Sequence, residues 1–270
     1  EASMAEFKAQ QPNSPEEIAR LKAEYAKHYE VLATKDIGEA GNEKLSQHLG
    51  DKTVRKLRKG EIIQIAVLRN GNYGADTTQI KMEFENVDVP EKRWSSDELI
   101  TLMDSDSPSI ELRGATWSFL DVTNGPKLLV DKRTDIGGNS ALQGWATGDN
   151  PSYFSNVSET PVIVWTTLPP KALFTHPGPN EDSGLSWVCP EDGNYKISGF
   201  VKDAHPIPGG DGVSFRIEHF KDPTLGPQLI AFSKNNGELV PPTKPVVPVA
   251  FAVSDGDVAD AKLQERGDPE

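Results

Sequence analysis

The chain has 270 residues, of which 41 are acidic and 28 basic, and its formal net charge is −13. A nucleic-acid interface needs a basic face, so this charge argues against a nucleic-acid partner. No apolar run approaches the roughly 18 residues of a membrane-spanning helix, so we expect no membrane span.

The N-terminal part has the pattern of helices. Ser14-Pro15-Glu16-Glu17 is a capping box with proline at the first helical position. Apolar residues then recur at helical spacing as far as about Ala33. A weaker helical pattern follows over residues 42–56. We therefore interpret residues 1–58 as a helical segment or linker from a preceding domain.

From residue 59 the apolar period changes to two, which indicates strands. Residues 61–68 are mostly apolar and read as a strand, residues 77–84 alternate, and the turn-like Asn70-Gly71-Asn72-Tyr73-Gly74 lies between them. This combination predicts a β-hairpin. Residues 96–103 form at most a short helix, followed by an acidic loop rich in serine and proline.

Short strands without intervening helices continue to about residue 235. The predicted strands cover residues 116–122, 128–130, 145–147, 153–156, 162–166, 173–176, 185–188, 195–203, 213–220 and 228–233. This pattern predicts a mainly β fold, an antiparallel β-sandwich of the jelly-roll type with an N-terminal helical segment. We assign the sandwich to residues 59–240, and a proline-rich linker with the start of a following domain to 241–270.

A family resemblance begins at residues 187–199, where an aromatic strand ends at Pro190 and an Asp-Gly turn leads to Tyr195. It continues through Asp203-Ala204-His205-Pro206 and Gly209-Gly210-Asp211-Gly212-Val213. Together these segments resemble jelly-roll modules of large planctomycete surface proteins that also carry c-type cytochrome domains. The resemblance covers roughly residues 60–235.

The ends of the chain resemble parts of the same proteins. Residues 14–32 are similar to the close of one planctomycete-specific domain, and residues 251–269 to the opening of the next. The resemblance implies an insert between flanking domains of an exported protein, periplasmic or at the cell surface. We expect the signal peptide to lie outside this fragment. By analogy the resemblance also implies carbohydrate binding.

Sugar binding needs an aromatic face for the pyranose ring and planar polar groups for its hydroxyls. The best local cluster consists of Asn139, Gln143, Trp145, Asp149, Asn150 and Tyr153. Trp145, between Gly144 and Ala146, has two interpretations: a partly exposed binding residue or a core residue. Trp117, Trp165 and Trp187 alternate with apolar neighbours and are predicted to lie in the core, whereas Trp94 is predicted to plug one end of the sandwich.

A second candidate group is Asp203, His205 and Asp211, which flank a Pro-Gly-Gly loop. They could contact ligand, or Asp203 and Asp211 could join Asp76 around a structural Ca²⁺ ion, which prefers carboxylate and carbonyl oxygens. The alternative is structural, with Asp211-Gly212 forming a turn and Asp203 ending a strand. His176 has only His205 as a partner, which is too few ligands for zinc.

No catalytic residue is predicted. Gly-x-Ser-x-Gly, His-Glu-x-x-His and a phosphate-binding glycine loop are all absent from the sequence. The lone Cys189 lies in a strand-like context that predicts a buried structural thiol. We therefore expect a non-catalytic carbohydrate-binding module, with no cofactor besides candidate calcium, that docks its parent protein onto a polysaccharide or oligosaccharide. The alternatives are a structural spacer or protein-interaction domain between the flanking domains and, less favoured, a polysaccharide-degrading enzyme with paired carboxylates.

Overall fold

The computed structural model describes residues 27–71, 73–123, 126–208 and 210–221. The capping box, the strand predicted at 228–233 and the proline-rich segment lie outside these residues. None of the described helices is long and apolar enough to cross a membrane.

The described part of the chain is built mainly of short strands. They are β1 (Tyr29–Ile37), β2 (Asn42–Lys44), β3 (Val54–Leu57), β4 (Ile62–Arg69), β5 (Thr78–Asn86), β6 (Arg93–Ser95), β7 (Ser109–Leu112), β8 (Ala115–Asp121), β9 (Lys127–Leu128), β10 (Asp131–Arg133), β11 (Leu142–Ala146), β12 (Ser152–Asn156), β13 (Val162–Ile163), β14 (Thr167–Leu168), β15 (Ala172–His176), β16 (Ser183–Val188), β17 (Gly193–Asp203) and β18 (Val213–Phe220). The helical elements are α1 (Leu45–Leu49) and 3-10 helices at Gly50–Thr53, Tyr73–Ala75, Ser96–Leu102 and Ile136–Gly138.

Two antiparallel sheets contain nearly all of these strands. Sheet I has seven strands in the order β1-β18-β4-β16-β8-β7, with β9 beside β8. Sheet II has nine strands in the order β10-β11-β12-β15-β5-β17-β2, with β3 beside β17 and β6 beside β5. A separate pair, β13 and β14, forms a small hairpin. The prediction of a mainly β, antiparallel sandwich is confirmed.

The core lies between the two sheets and is rich in aromatic side chains. In β5, alternate residues point inward, among them Ile80, Met82 and Phe84. Phe84 stacks on Trp187 of sheet I with ring centroids 3.8 Å apart. Each fully buried apolar side chain of this size contributes roughly 1.5–3 kcal/mol to folding.

The helical prediction for residues 29–33 is wrong, and the prediction for residues 42–56 is correct only for its middle part, residues 45–53. Residues Tyr29–Ile37 form β1, which pairs along its length with β18, and the Tyr29 hydroxyl donates to Glu218 at 2.5 Å. Within residues 42–57, α1 and the 3-10 helix Gly50–Thr53 lie between strands β2 and β3, which both pair with β17. Pairing with strands more than a hundred residues away in sequence overrides the local helical periodicity. The strands β1, β2 and β3 therefore belong to the same two sheets as the strands after residue 59.

The predicted hairpin is also wrong, although both of its strands exist. β4 lies in sheet I between β16 and β18, whereas β5 lies in sheet II between β15 and β17. The connection contains the 3-10 helix Tyr73–Ala75 and passes from one sheet to the other. The short helix near residue 96 is confirmed as a 3-10 helix with a capping box formed by Ser95 and Glu98.

Strands are present at the positions predicted between residues 116 and 220, although β9 and β13 have only two residues each. β4 runs from Ile62 to Arg69, and these two residues mark the opposite ends of the sandwich, here called the Ile62 end and the Arg69 end. β18 runs the other way, so Phe220 lies at the Ile62 end and Val213 at the Arg69 end.

Candidate functional site

A pocket of about 310 Å³ opens at the Arg69 end of the sandwich. Segments from several elements form its wall: Arg133 ends β10, Asn150 precedes β12, Trp165 lies in the turn between β13 and β14, and His176 ends β15. Arg133 and His176 are the last residues of their strands, and Asn150 and Trp165 lie on short connections between strands, so the sandwich holds all four side chains in place.

Trp165 supplies the aromatic surface of this pocket. Its side chain is 39% exposed, and its indole Nε1 donates to Thr77 Oγ1 at 2.8 Å. The ring meets Phe154 edge to face with centroids 6.0 Å apart. Gly137 lies against the other part of the indole, where a Cβ atom would come within 2.6 Å of Cζ3. The ring is therefore fixed in place while part of it remains open to the pocket.

Planar polar groups line the same pocket as the indole. The Arg133 guanidinium donates to the Gly148 carbonyl at 3.3 Å and lies 3.6 Å from the carboxylate of Asp149, which is almost fully exposed. Asn150 Oδ1 accepts from Ser152 Oγ at 3.0 Å. Guanidinium, carboxylate and carboxamide groups are suited to pairs of neighbouring hydroxyls, which both donate and accept.

His176 adds an acceptor. Its Nδ1 lies 2.6 Å from the Pro177 carbonyl, which can only accept, so Nδ1 carries the hydrogen. Burial lowers the pKa of His176; the bond to Pro177 acts against this, and nearby His205 lowers the pKa further. The imidazole is therefore neutral near pH 7, with Nε2 as an acceptor.

The predicted aromatic residues are not at this surface. Trp145 is 5% exposed and sits opposite the fully buried Tyr153 in the pairing of β11 with β12. Tyr153 stacks on Phe119 across the core with centroids 5.3 Å apart. Of the two interpretations of Trp145, the structure shows the core residue, and neither ring presents an open face.

Of the other tryptophans, Trp117 and Trp187 are fully buried in the core, as predicted, whereas Trp165 is not. Trp94 packs on Trp187 and Tyr195 near the Ile62 end, and its Nε1 donates to the Arg113 carbonyl. The prediction that Trp165 lies in the core is wrong. Residues 162–165 form a continuous apolar run that predicts a buried strand, but β13 ends at Ile163, and the polar Thr166 and Thr167 are the local sign of a turn.

The predicted polar cluster is split. Asp149 and Asn150 line the pocket. Asn139 instead accepts from the Ala141 amide, and Gln143 donates to the Ser140 carbonyl. These two side chains hold the turn that leads into β11.

The predicted acidic group is brought together near the Arg69 end. Asp76 is 2% exposed, and its Oδ2 has no hydrogen-bond partner among the described residues. Burial, followed by the charges of Asp211 and Asp203, raises the pKa of Asp76 to about 7. Asp203 accepts from the amides of Ala40 at 2.7 Å and His205 at 2.8 Å, which fastens two loops. Within the described ranges, no group of three or more His, Cys, Asp or Glu residues is arranged to hold a metal ion.

Comparison of the chain with profiles of known protein families, with curated proteins and with solved structures gave no match. The resemblance to planctomycete jelly-roll modules therefore stays a prediction.

Proposed function

We propose that this chain is a non-catalytic carbohydrate-binding module whose sugar ligand stacks on Trp165. The observation that carries the proposal is the part-exposed indole, held by Thr77 and flanked by Gly137, in the wall of a pocket with planar polar groups. A pyranose ring has an apolar face for stacking and equatorial hydroxyls that pair with such groups.

The volume and the contacts of the pocket indicate the size of the ligand and its affinity. Its volume of about 310 Å³ is at the small end for ligand pockets, which suits one or two sugar units. One aromatic stack is worth roughly 0.5–1.5 kcal/mol and each hydrogen bond a similar amount. A single site of this kind gives a Kd of about a millimolar, and a polymer with many copies of the unit is retained through repeated binding.

The charges of the pocket fit binding rather than hydrolysis. Among the described residues that line it, Asp149 is the one carboxylate. Glycoside hydrolysis in most families needs two carboxyl groups roughly 5–9.5 Å apart across the bond that is cleaved. We therefore propose no catalytic step.

The resemblance noted in the sequence extends the proposal to the parent protein. In this proposal the module docks a large exported, cytochrome-containing protein onto polysaccharide at the cell surface or in the periplasm. The flanking domains of the same parent chain are then its partners, and the cytochrome domains of that protein, rather than this module, carry the redox activity.

Affinity gel electrophoresis against a panel of neutral polysaccharides, which carry no charge for other basic surfaces of the chain, tests the proposal. We expect at least one glycan in the gel to slow the migration of the wild-type protein. Trp165→Ala should abolish this retardation, and Trp165→Phe should retain part of it. Ile163→Ala is the matched control, because Ile163 is 78% exposed on the same small hairpin and does not line the pocket. Binding by Trp165→Ala equal to that of the wild type, or no binding to any glycan, contradicts the proposal.

A further inference from the structure

The Ile62 end of the sandwich carries a groove whose charge is opposite to that of the whole chain. The groove has a volume of about 600 Å³. Its cationic side chains come from separate segments: Arg55, Lys56 and Arg58 from β3 and the loop after it, Lys221 from beyond β18, and Lys27 from before β1. His28, His219 and Glu61 complete the described lining.

The carboxylates near this groove are already shared among cations. Glu30 lies 2.7 Å from Arg55, 3.2 Å from Lys52 and 3.6 Å from Lys221. Burial alone raises the pKa of Glu30, but the hydrogen bond from Lys52 and the charges of the three cations outweigh burial and lower it. Three positive charges thus face one negative charge, and Glu61 is engaged by His219 at 2.8 Å.

Two cations in the groove have no counter-charge among the described residues. Lys56 and Arg58 are exposed, and neither forms an ion pair with another residue in the described part of the chain. Lys56 lies in β3 and Arg58 directly follows this strand, and both side chains line the same groove. His219, which is nearly buried beside them, has an Nδ1 atom with no hydrogen-bond partner among the described residues.

We propose that this groove binds the anionic groups of an acidic polysaccharide, either carboxylates of uronic acids or sulfate esters. Arginine pairs with both kinds of oxyanion in bidentate geometry, and lysine adds a mobile point charge. The volume is within the range of sites that hold a ligand of several rings.

The groove fits an acidic glycan better than a nucleic acid. Apart from two histidines, no aromatic side chain is among its described lining residues, so it lacks the platforms on which bases stack. The net charge of −13 repels every polyanion, so it does not distinguish a nucleic acid from an acidic glycan, and the lack of stacking surfaces in the described lining carries this distinction.

The groove is distinct from the Trp165 pocket. The two lie at opposite ends of the eight-residue strand β4, which spans about 26 Å at roughly 3.3 Å per residue. The inference rests on the proposed function only in taking the ligand to be a glycan. Different substitutions remove the two sites, so failure of one is distinguishable from failure of the other.

The test measures binding of polygalacturonate, dextran sulfate, neutral dextran and a single-stranded DNA oligonucleotide by calorimetry at low and high salt. We expect the double variant Lys56→Ala/Arg58→Ala to weaken binding of an acidic glycan about tenfold or more, and to make binding less sensitive to salt. The double variant Lys35→Ala/Lys202→Ala, which removes two exposed cations elsewhere, controls for the change in net charge. Trp165→Ala should leave this binding unchanged.

Polygalacturonate and dextran sulfate separate carboxylates from sulfate esters, and preference for either supports the proposal. The proposal would be overturned by wild-type affinity in the Lys56/Arg58 variant, by an equal loss in the control variant, or by no binding of either acidic glycan. Tighter binding of the oligonucleotide than of both glycans would instead make the groove a nucleic-acid site and also overturn it.

Discussion

Gly137 lies directly against the indole of Trp165, because a Cβ atom at residue 137 would come within 2.6 Å of Cζ3 of that ring. Gly137 also has a φ of +64°, in the left-handed region that favours glycine. The neighbouring Gly138 has a similar φ of +74°, but a Cβ atom there would meet nothing within 4 Å. The pair therefore separates the effect of backbone strain from the effect of contact with Trp165.

Replacing Gly137 with alanine should displace Trp165 and weaken glycan binding. Loss of a well-placed stack is worth roughly 0.5–1.5 kcal/mol, or up to about tenfold in affinity. Gly138→Ala is the control, since it introduces the same backbone strain in open space. Affinity electrophoresis and the thermal midpoint of both variants measure the effect. Equal binding by the two variants would show that residue 137 does not position the ring.

Removing Trp187 should destabilise the sandwich more than any surface change. Trp187 is fully buried, stacks on Phe84 and meets Tyr195 with centroids 5.3 Å apart, so it joins the two sheets. We expect Trp187→Ala to lower the free energy of unfolding by about 3–5 kcal/mol in a urea titration. Ile163→Ala, at an exposed position, should change it by less than about 0.5 kcal/mol. A similar small change for Trp187→Ala would contradict the central place of this ring in the core.

Local sequence predicted the strands but not their partners. The alternation of β5 and the continuous apolar run of β4 are visible in the sequence, and both strands are found. Each pairs with strands from distant parts of the chain, and nothing in a turn-like Asn70-Gly71 distinguishes a hairpin from a crossing between sheets. Tyr29 shows the same limit, because its helical spacing is local whereas its partner Glu218 is distant.

The candidate site was predicted only in part for the same reason. Asp149 and Asn150 were identified from a polar, glycine-rich stretch that lies on a loop, where composition is informative. Trp145 and Trp165 have similar small or apolar neighbours in sequence. What separates them is that β11 lies inside a sheet whereas β13 ends after two residues, which is a property of the whole fold.

Asp76 should make the protein less stable as pH rises from about 4 to 7. Its carboxyl has an ordinary pKa of 3.8 but a folded-state pKa of about 7, raised first by burial and then by Asp211 and Asp203. Between these values the folded chain keeps a proton that the unfolded chain releases, so stability falls with rising pH and the loss is complete above about pH 7. Asp76→Asn removes this charge and should flatten the profile, adding on the order of 2–4 kcal/mol at pH 8.

Urea titrations at several pH values measure this dependence, with Asp51→Asn at an exposed position as the control. If Asp76→Asn kept the wild-type slope of unfolding free energy against pH, other titratable groups would be responsible for the pH dependence. Adding calcium chloride at pH 8 tests the sequence-based prediction of a calcium ion among Asp76, Asp203 and Asp211. Stabilisation that Asp76→Asn abolishes would support that prediction, and no stabilisation would contradict it.

Cys189 should be unreactive in the folded protein, in keeping with the prediction of a buried structural thiol. The residue is 1% exposed, its Sγ donates to the Glu191 carbonyl at 3.0 Å, and burial raises the pKa of its thiol to about 12. Only the thiolate reacts readily with iodoacetamide, so little alkylation is expected at pH 8 without denaturant, and complete alkylation in concentrated urea. Val54→Cys places a second thiol at an exposed position of β3 and should give one modified site in the folded state, counted by intact mass. Two modified sites without denaturant would show that Cys189 is accessible and that the strand end around Pro190 opens readily.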